Sequence, residues 1–432
     1  MKYYLIGIKG TGMSTLAQIL HDLGNEVSGY DDAKEFKFTQ KGLDERGIKI
    51  HYEPVDIEED TIVSRTVAIS EDHPEIKRVK KLGFNIKRYD EIIGELSKQF
   101  NTIGISGTHG KTTTSSLIRH ILNSKCATNY FVGAGDGYAR RENDIFILES
   151  DEFNRHFTSY HPNYSVITNI EEEHMECYKD IEDIKNTFEL FANNTKKLVV
   201  ACGDEEVVRK INYHAPVLFY GFDKENDVVI KNLKLTENGS SFDLYIKEEL
   251  YGNFDIPLFG EYMILNATAA ILICKEQHLS KEEIEEALQT FQNAKRRFET
   301  TIVDDTVIID DYAHHPTEIK VTLDAIKQKY PERRLVVVFK PNTYSRTKEF
   351  TDEFVEALSK ADKVYMTEID ANRERQEDYP GVSSLMILDK IKDAELISED
   401  TIQKLEKEKG SVVSFMSCAY VDKLIDGFKE TL

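Results

Sequence analysis

Short apolar runs alternate with amphipathic stretches at the start of the chain. One β-like run covers residues 3–8, a helical pattern extends from about Met13 to Leu23, and a second β-like run covers residues 26–30. Strands of this length on either side of a helix are typical of parallel strands joined by a crossover. The pattern therefore predicts an α/β fold with a parallel sheet.

Two further alternations of this kind set the expected domain boundaries. The second begins with the apolar run at residues 101–106, and the third begins near Thr301. Between them, residues 228–254 alternate in a way typical of antiparallel hairpins. We predict three α/β domains, which cover residues 1–98, 99–294 and 295–432.

Composition narrows the possible partners. The 432 residues include 55 Lys+Arg and 77 Asp+Glu, which gives a formal charge of −22. Nucleic acids and anionic membrane surfaces both attract clustered cations, so neither is expected as a partner. Because the chain opens without a leader pattern and contains no apolar run near ~20 residues, we expect a cytoplasmic protein without a membrane span. The five cysteines form no CxxC pair, and we expect no zinc site.

The strongest chemical signal lies between an apolar run and a helical pattern. This loop reads Gly107-Thr108-His109-Gly110-Lys111-Thr112-Thr113. Glycines let backbone N–H groups approach phosphates, while Lys111 can neutralise their charge and Thr112 can offer a hydroxyl to Mg²⁺. The loop is shorter than the strict GxxxxGK[ST] string, but it predicts a nucleotide phosphate site.

A second glycine cluster follows the first predicted strand. Gly7, Gly10 and Gly12 form GxxGxG, and Asp31 lies about 20 residues further on. A nicotinamide dinucleotide site is one interpretation, although the glycine order differs from GxGxxG. A nucleotide-sugar diphosphate would suit the same helix N-terminus, and a glycine turn without a ligand is a third possibility.

Polar strings follow several of the predicted strands. The strings 149–152 and 169–174 each follow a predicted strand. A carboxylate and an imidazole brought together there could hold Mg²⁺ beside a triphosphate, although each string taken alone is more often a solvated loop. The string 310–316 is equally compatible with a metal site and with a self-satisfied loop. The basic string 295–298 could neutralise a phosphate, although such a triplet is usually only a solvated face.

Taken together, these strings resemble the Mur ligase family over almost the whole chain. The most specific are GTHGKTTT at 107–114 and DDYAHHP at 310–316, and GIKGTGMS at 7–14 is similar to the branch that adds the first amino acid. The resemblance implies a Rossmann-like UDP-sugar domain, a central P-loop-type ATPase domain and a Rossmann-like C-terminal domain. It also implies ATP-dependent ligation of L-alanine to the lactyl carboxylate of UDP-N-acetylmuramate through an acyl phosphate.

The resemblance also implies a role for individual residues. The expected catalytic residues are Lys111, Glu149, His174 and Arg297. The expected ATP-binding residues are Gly107, Thr108, His109, Gly110, Lys111, Thr112, Thr113, Asn266, Arg297 and Asp311. The expected substrate-binding residues are Gly10, Thr11, Gly12, Ser70, His73, Arg155, His156, His314 and Arg346. The expected Mg²⁺ ligands are Thr112, Glu149 and His174.

Several positions depart from the family strings. Tyr262 stands where a histidine is usual, Lys340 and Asn342 replace residues of another string, and a late GAGD motif reads as residues 417–420. These changes leave the ATP chemistry in place but make the amino-acid pocket distinctive. A ligase for another amino acid or peptide, and a non-catalytic nucleotide-binding subunit, are the alternatives; monomer and homodimer both remain open.

Overall fold

The computed structural model describes residues 1–133, 135–371 and 374–432. Within those ranges, no helix combines the length and the apolar character needed to span a bilayer.

The first described sheet is parallel throughout. Its strands are β1 (Lys2–Ile6), β2 (Glu26–Tyr30), β3 (Lys49–His51), β4 (Thr61–Arg65) and β5 (Ile86–Arg88). Its helices are α1 (Thr11–Asp22), α2 (Gln40–Asp44), α3 (Pro74–Lys81) and α4 (Tyr89–Ser97). The strand order β3-β2-β1-β4-β5 makes β1 central, and the buried side chains along β1 fit a strand covered on both faces.

The second sheet is mixed. Its strands are β6 (Asn101–Ser106), β7 (Asn129–Val132), β8 (Asp136–Tyr138), β9 (Ile145–Glu149), β10 (Tyr164–Ile167), β11 (Leu198–Cys202), β12 (Val217–Gly221), β13 (Val228–Thr236), β14 (Gly239–Ile246) and β15 (Glu249–Ile256). Their order is β15-β14-β13-β12-β11-β10-β6-β9-β7-β8. Two-residue turns join β13 to β14 and β14 to β15, and such turns suit the predicted antiparallel hairpins.

The α-helices described in this part of the chain lie between or after its strands. They are α5 (Lys111–Asn123), α6 (Ile181–Asn193), α7 (Glu206–Arg209), α8 (Glu261–Glu276) and α9 (Lys281–Gln289). A 3₁₀ helix covers Phe153–Ser159.

The third sheet is parallel except for its first strand. Its strands are β16 (Glu299–Val303), β17 (Thr306–Asp311), β18 (Leu335–Phe339), β19 (Lys363–Met366), β20 (Glu395–Leu396) and β21 (Val412–Met416), in the order β16-β17-β21-β18-β19-β20. Its α-helices are α10 (Pro316–Lys329), α11 (Tyr344–Glu349), α12 (Thr351–Leu358), α13 (Leu385–Leu388) and α14 (Asp422–Lys429). Two 3₁₀ helices cover Gln376–Asp378 and Glu399–Glu408.

The described chain divides into two compact units. One comprises Met1–Lys231, Asp243–Asn253 and Leu265–Leu288, and the other comprises Asn232–Phe242, Phe254–Ile264 and Gln289–Leu432. In the first unit, a continuous apolar core joins residues from Tyr3 to Ile211. The boundary predicted at residue 98 therefore separates two sheets that share a core, and the boundaries at 98 and 294 stay predictions.

Element ends differ from the sequence expectation where a turn intervenes. The first strand was expected to reach Ile8 but ends at Ile6, because Gly7 has φ +81° and the N–H groups of Gly7 and Ile8 both donate to the Tyr30 carbonyl. Helix α1 begins at Thr11 and not at about Met13, so its N-terminus lies within the glycine cluster.

Polar contacts join α4 to the 3₁₀ helix at Phe153–Ser159 within the first unit. The Tyr89 hydroxyl lies 2.9 Å from His156 Nδ1, and the Ser159 hydroxyl donates to Asp90 at 2.8 Å. His156 is only 2% exposed. Burial lowers the pKa of His156 below its ordinary value, although the Asp90 charge opposes this shift.

The buried imidazole predicts a stability change in mild acid. Because the unfolded chain binds a proton near pH 6.5 before the folded His156 does, we expect the free energy of unfolding to fall as the pH drops below 6.5, by at most ~1.4 kcal/mol per pH unit. Urea unfolding of wild type and His156→Asn at several pH values measures this slope. His161, whose pKa burial also lowers but which is more exposed, provides the control variant His161→Asn with a smaller change. An unchanged slope in His156→Asn would contradict the prediction.

Candidate functional site

The loop between β6 and α5 passes very close to its neighbours. A Cβ at Gly107 would lie 1.9 Å from Thr168 Oγ1, and a Cβ at Gly110 would lie 2.7 Å from Asn266 Oδ1. Both glycines also have positive φ, at +140° and +84°. A side chain is therefore excluded at both positions, and Gly110 directly precedes the first turn of α5.

The end of β10 holds this loop in place. The His109 N–H donates to Asn169 Oδ1 at 2.8 Å, and the Thr168 hydroxyl donates to the His109 carbonyl at 2.6 Å. The Thr108 N–H donates to the Asn169 carbonyl at 3.0 Å. These bonds leave the N-terminus of α5 as a rigid, N–H-rich end of the kind that binds phosphate.

Lys111 begins α5 and is buried against acidic residues. Its Nζ donates to Glu152 Oε2 at 2.8 Å and to the Gly107 carbonyl at 2.6 Å. Burial opposes the charge on Lys111, but the carboxylates of Glu152 and Asp151 outweigh this cost and raise its pKa. The lysine is therefore a fixed cation.

Thr112 and Glu149 lie together beside the loop. The Thr112 hydroxyl donates to Glu149 Oε1 at 3.0 Å, and the Gly133 N–H donates to Glu149 Oε2 at 3.0 Å. Glu149 is the last residue of β9, at the carboxyl edge of the sheet. A hydroxyl and a carboxylate are hard oxygen donors, and this pair fits a Mg²⁺ ion at the phosphate loop.

His174 belongs to a second group of possible ligands. One ligand atom each of Asp151, Glu152 and His174 lie within 4.8 Å of one another. Burial opposes the charge on His174, but its bond to Glu176 and the charge of Glu152 raise its pKa. The resemblance implied that His174 serves a second Mg²⁺, and in the structure His174 lies with two acids of the string that contains Glu149.

The GxxGxG loop lies at the N-terminus of α1. The φ of Gly7 is +81°, and a Cβ there would lie 2.4 Å from Thr66 Cγ2. Gly12 faces the ring of Tyr89, which a Cβ would approach to 3.3 Å. Gly10 and Thr11 stand directly before and at the start of α1, so the loop has the helix N-terminus expected of a diphosphate site.

Lys9 lies within this loop but is almost fully buried. Its Nζ donates to the carbonyls of Ala33 at 2.7 Å and Glu35 at 2.6 Å. The Thr39 hydroxyl donates back to the Lys9 carbonyl at 2.7 Å. Lys9 therefore fastens the segment after β2 to the glycine loop.

Asp31 has the position of the acid in a dinucleotide site, but its oxygens are already used. They accept from the N–H groups of Lys9 at 2.9 Å and Ala33 at 3.0 Å, and the residue is 6% exposed. In a dinucleotide site this acid binds ribose hydroxyls. The arrangement disfavours the nicotinamide interpretation of the glycine cluster.

Ser70 and His73 lie in the segment between β4 and α3. The Ser70 carbonyl accepts from the His73 N–H at 3.1 Å, and His73 Nδ1 accepts from the Glu75 N–H at 3.2 Å. His73 Nε2 lies 3.0 Å from Asp32, which directly follows Asp31. The structure therefore brings both predicted residues to the carboxyl ends of β2 and β4.

Arg155 and His156 lie on the 3₁₀ helix that follows the acidic string. Arg155 has φ +59° and forms an ion pair with Asp183 at 2.7 Å. His156 Nε2 is buried and has no hydrogen-bond partner among the described residues. The other ring nitrogen of His156 lies beside the hydroxyl of Tyr89, the residue whose ring faces Gly12.

In the second unit, Asp311 organises the loop after β17. Its carboxylate accepts from the N–H groups of Phe298 at 2.7 Å and Ala313 at 2.9 Å, and it is 5% exposed. The guanidinium of Arg297 lies 4.6 Å from the centre of the Tyr312 ring. The Asp311 carboxylate is therefore satisfied within its own loop, as the satisfied-loop alternative for the string 310–316 expects.

The predicted acceptor residues His314 and Arg346 also lie in this unit. His314 Nδ1 lies 3.0 Å from both Glu318 and the Tyr312 carbonyl, and Arg346 donates to Asn342 at 3.1 Å. Each of these bonds joins residues that are at most four positions apart along the chain.

Lys340 is one of the departures from the family strings. It forms an ion pair with Asp370 at 2.7 Å and donates to the Tyr420 carbonyl at 3.2 Å. Cys418 lies in the same altered segment, where burial raises the pKa of its thiol to about 11. The Lys340 charge is thus compensated within the protein, and Cys418 is a neutral thiol.

The sequence prediction included Asp151 and Glu152 only as members of the string 149–152, without individual roles, and it did not include Tyr89. Both acids lie in the string that supplied Glu149, and an unusual run of three carboxylates after one strand was an available signal. No signal marked Tyr89, because it lies 67 residues from His156 along the chain.

Three sequence models of one family match the chain in succession. The Mur ligase family catalytic domain matches residues 2–101, the Mur ligase middle domain matches residues 105–274, and the Mur ligase glutamate ligase domain matches residues 296–417. Together they cover most of the chain.

Solved structures agree with this assignment. UDP-N-acetylmuramate-alanine ligase MurC from Thermotoga maritima is 25% identical, with a TM-score of 0.80 over 100% of this chain and 98% of that one. A murein peptide ligase from Psychrobacter arcticus is 20% identical, with a TM-score of 0.68 over 100% and 98%. The MurF ligase from Thermotoga maritima, solved with ADP, is 18% identical, with a TM-score of 0.64 over 86% and 88%. With three consecutive domain matches and a phosphate loop built as described, the chain belongs to the Mur ligase family of ATP-dependent amide ligases.

Proposed function

We propose that this Mur ligase joins L-alanine to the lactyl carboxylate of UDP-N-acetylmuramate in peptidoglycan precursor synthesis, with ATP as the energy source. The observation that carries the proposal is the full-length similarity to a UDP-N-acetylmuramate-alanine ligase at a TM-score of 0.80, against 0.68 for the murein peptide ligase and 0.64 for the MurF ligase. Because ATP is a cytoplasmic substrate, we place the reaction in the cytoplasm.

The proposed chemistry explains why a phosphate site is needed. A carboxylate does not condense with an amine in water, because its oxygen is a poor leaving group. Transfer of the terminal phosphoryl group of ATP to the lactyl carboxylate gives an acyl phosphate and ADP. The amine of L-alanine then attacks the acyl carbon, the amide bond forms, and inorganic phosphate leaves. Negative charge accumulates in both steps, so fixed positive groups accelerate them.

In this proposal, the first unit handles the phosphoryl transfer. Lys111 neutralises the terminal phosphates, and the N–H groups at the start of α5 orient them. Thr112 and Glu149 would hold one Mg²⁺, and His174 would contribute to a second. When bound, Mg²⁺ supplies further positive charge against the phosphate oxygens. Asn266, whose amide faces Gly110, would lie along the nucleotide.

The first glycine cluster would bind the UDP-sugar. Gly10, Thr11 and Gly12 would meet its diphosphate at the N-terminus of α1, and Ser70 with His73 would lie along the nucleotide-sugar. Support for a diphosphate over a nicotinamide dinucleotide comes from Asp31, since its carboxylate binds backbone N–H groups.

The second unit would supply the acceptor and further nucleotide contacts. We assign Arg297 to the nucleotide and place Asp311 as the residue that orients the loop carrying it. His314 and Arg346 would receive L-alanine, with the Arg346 guanidinium suited to the amino-acid carboxylate.

One observation favours a different acceptor. The ion pair between Lys340 and Asp370, with the Tyr420 carbonyl beside it, adds polar groups at a segment that departs from the family strings. The Asp370 side chain is about half exposed, so its carboxylate is accessible to a ligand. A ligase for an amino acid with a polar or cationic side chain is therefore the second candidate.

Removal of the Lys111 cation tests whether the ATP site and the UDP-sugar site bind their ligands independently. We expect Lys111→Ala to lower the rate of ATP-dependent phosphate release by roughly a thousandfold or more. The negative charge of the transition state would lose the main protein cation that stabilises it. Binding of UDP-N-acetylmuramate, measured by calorimetry, should persist. Lys125→Ala, which removes an exposed lysine just after α5, is the control and should retain full activity. Lost UDP-sugar binding in a folded Lys111→Ala variant would contradict the assignment.

The acceptor is tested by phosphate release from ATP with UDP-N-acetylmuramate and Mg²⁺, scanned over single amino acids. We expect release to depend on L-alanine, and mass spectrometry should identify UDP-N-acetylmuramoyl-L-alanine. Release with a polar or cationic amino acid, altered in Asp370→Asn, would establish the second candidate. No release with any amino acid, in a protein that binds ATP, would instead indicate a peptide acceptor or a non-catalytic subunit.

A further inference from the structure

The lysine of the phosphate loop, Lys111, already forms a buried ion pair within the protein. Both Glu152 oxygens lie within hydrogen-bond distance of Lys111 Nζ, at 2.8 and 3.1 Å. The side chains are 14% exposed for Lys111 and 2% exposed for Glu152. The cation proposed to bind the terminal phosphate of ATP is thus neutralised by the protein itself.

The backbone of Glu152 is fixed, and its carboxylate lies between Lys111 and a second polar group. The Glu152 carbonyl accepts from the Arg155 N–H at 2.8 Å and from the Tyr178 hydroxyl. A carboxylate oxygen of Glu152 also lies within 4.8 Å of ligand atoms of Asp151 and His174. Rotation of the side chain alone can therefore move its charge from Lys111 towards these two residues.

A phosphate and the Glu152 carboxylate compete for the same lysine. If both remained on Lys111, two anions would be buried a few ångströms apart, which is strongly unfavourable in a site of low polarity. Displaced towards Asp151 and His174, the carboxylate would instead complete a group of two acids and an imidazole, a donor set that holds a divalent cation.

We propose that Glu152 is a placeholder for the terminal phosphate of ATP, which displaces it from Lys111 and thereby turns it towards Asp151 and His174. Glu152 is a positioning residue in this scheme: it keeps the buried lysine paired before the nucleotide arrives, and it completes the second cation site afterwards. Nucleotide binding then precedes tight binding of the second cation. This inference rests on the proposed ATP-dependent function.

The first test measures ATP affinity by calorimetry in the presence of EDTA, so that no cation contributes. Glu152→Gln keeps the shape but removes the competing charge, and we expect its Kd for ATP to fall about tenfold. Glu149→Gln removes one charge from the same string without a bond to Lys111, so it measures the general electrostatic effect and should tighten binding less.

The double variant Lys111→Met/Glu152→Gln identifies the origin of any gain. In the Lys111→Met background, Glu152→Gln should raise the ATP affinity no more than Glu149→Gln does in wild type. The reason is that the competition requires the lysine. Circular dichroism checks the fold of each variant. If Glu152→Gln does not fold, Glu152→Asp, which keeps the charge on a shorter side chain, should bind ATP more tightly than wild type.

The second test counts bound Mn²⁺, as a Mg²⁺ substitute, by electron paramagnetic resonance with a non-hydrolysable ATP analogue. Wild type should bind two ions with the analogue, and Glu152→Gln should bind one tightly.

The outcomes separate the two levels of the proposal. Failure of wild type to bind ATP would overturn the proposed function itself. If wild type binds ATP but Glu152→Gln binds it no more tightly than Glu149→Gln, or retains two Mn²⁺ ions, the placeholder role is wrong and the ligase assignment stands.

Discussion

The close approach of the phosphate loop to its neighbours is the constraint on which the first unit depends. Gly107 lies against Thr168 and Gly110 lies against Asn266, with no room for a side chain at either glycine. This contact aligns α5 with the carboxyl edge of the sheet. Lys111 and Thr112, the first residues of α5, consequently meet the acidic string that ends β9.

Both glycine loops use a buried lysine, but in different ways. Lys9 donates to the carbonyls of Ala33 and Glu35, so it stabilises the segment that follows β2. Lys111 also donates to the Gly107 carbonyl, but it has in addition a carboxylate partner, Glu152, which we propose that the phosphate of ATP displaces. A buried lysine bonded only to carbonyl and hydroxyl groups is structural. A buried lysine paired with a carboxylate can exchange it for a phosphate, because both partners are anions.

Much of the architecture was visible in the sequence. The runs at 26–30 and 101–106 are strands with those same limits, and the hairpins at 228–254 are present as β13 to β15. The spacing of hydrophobic residues is a local property, so it predicts strands and helices without knowledge of the fold. Element ends were less accurate, since the turn at Gly7 depends on its bond to Tyr30 on the neighbouring strand.

The sequence by itself determined the three α/β alternations, the phosphate loop and its family, because these are encoded in consecutive residues. Only the tertiary structure decided which distant groups meet: Lys111 with Glu152, Tyr89 with His156, and Lys340 with Asp370. It also decided that Asp31 and Asp311 bind backbone N–H groups. The physical reason is that ion pairing and hydrogen bonding act over a few ångströms in space, and the chain order does not record which strand ends are neighbours.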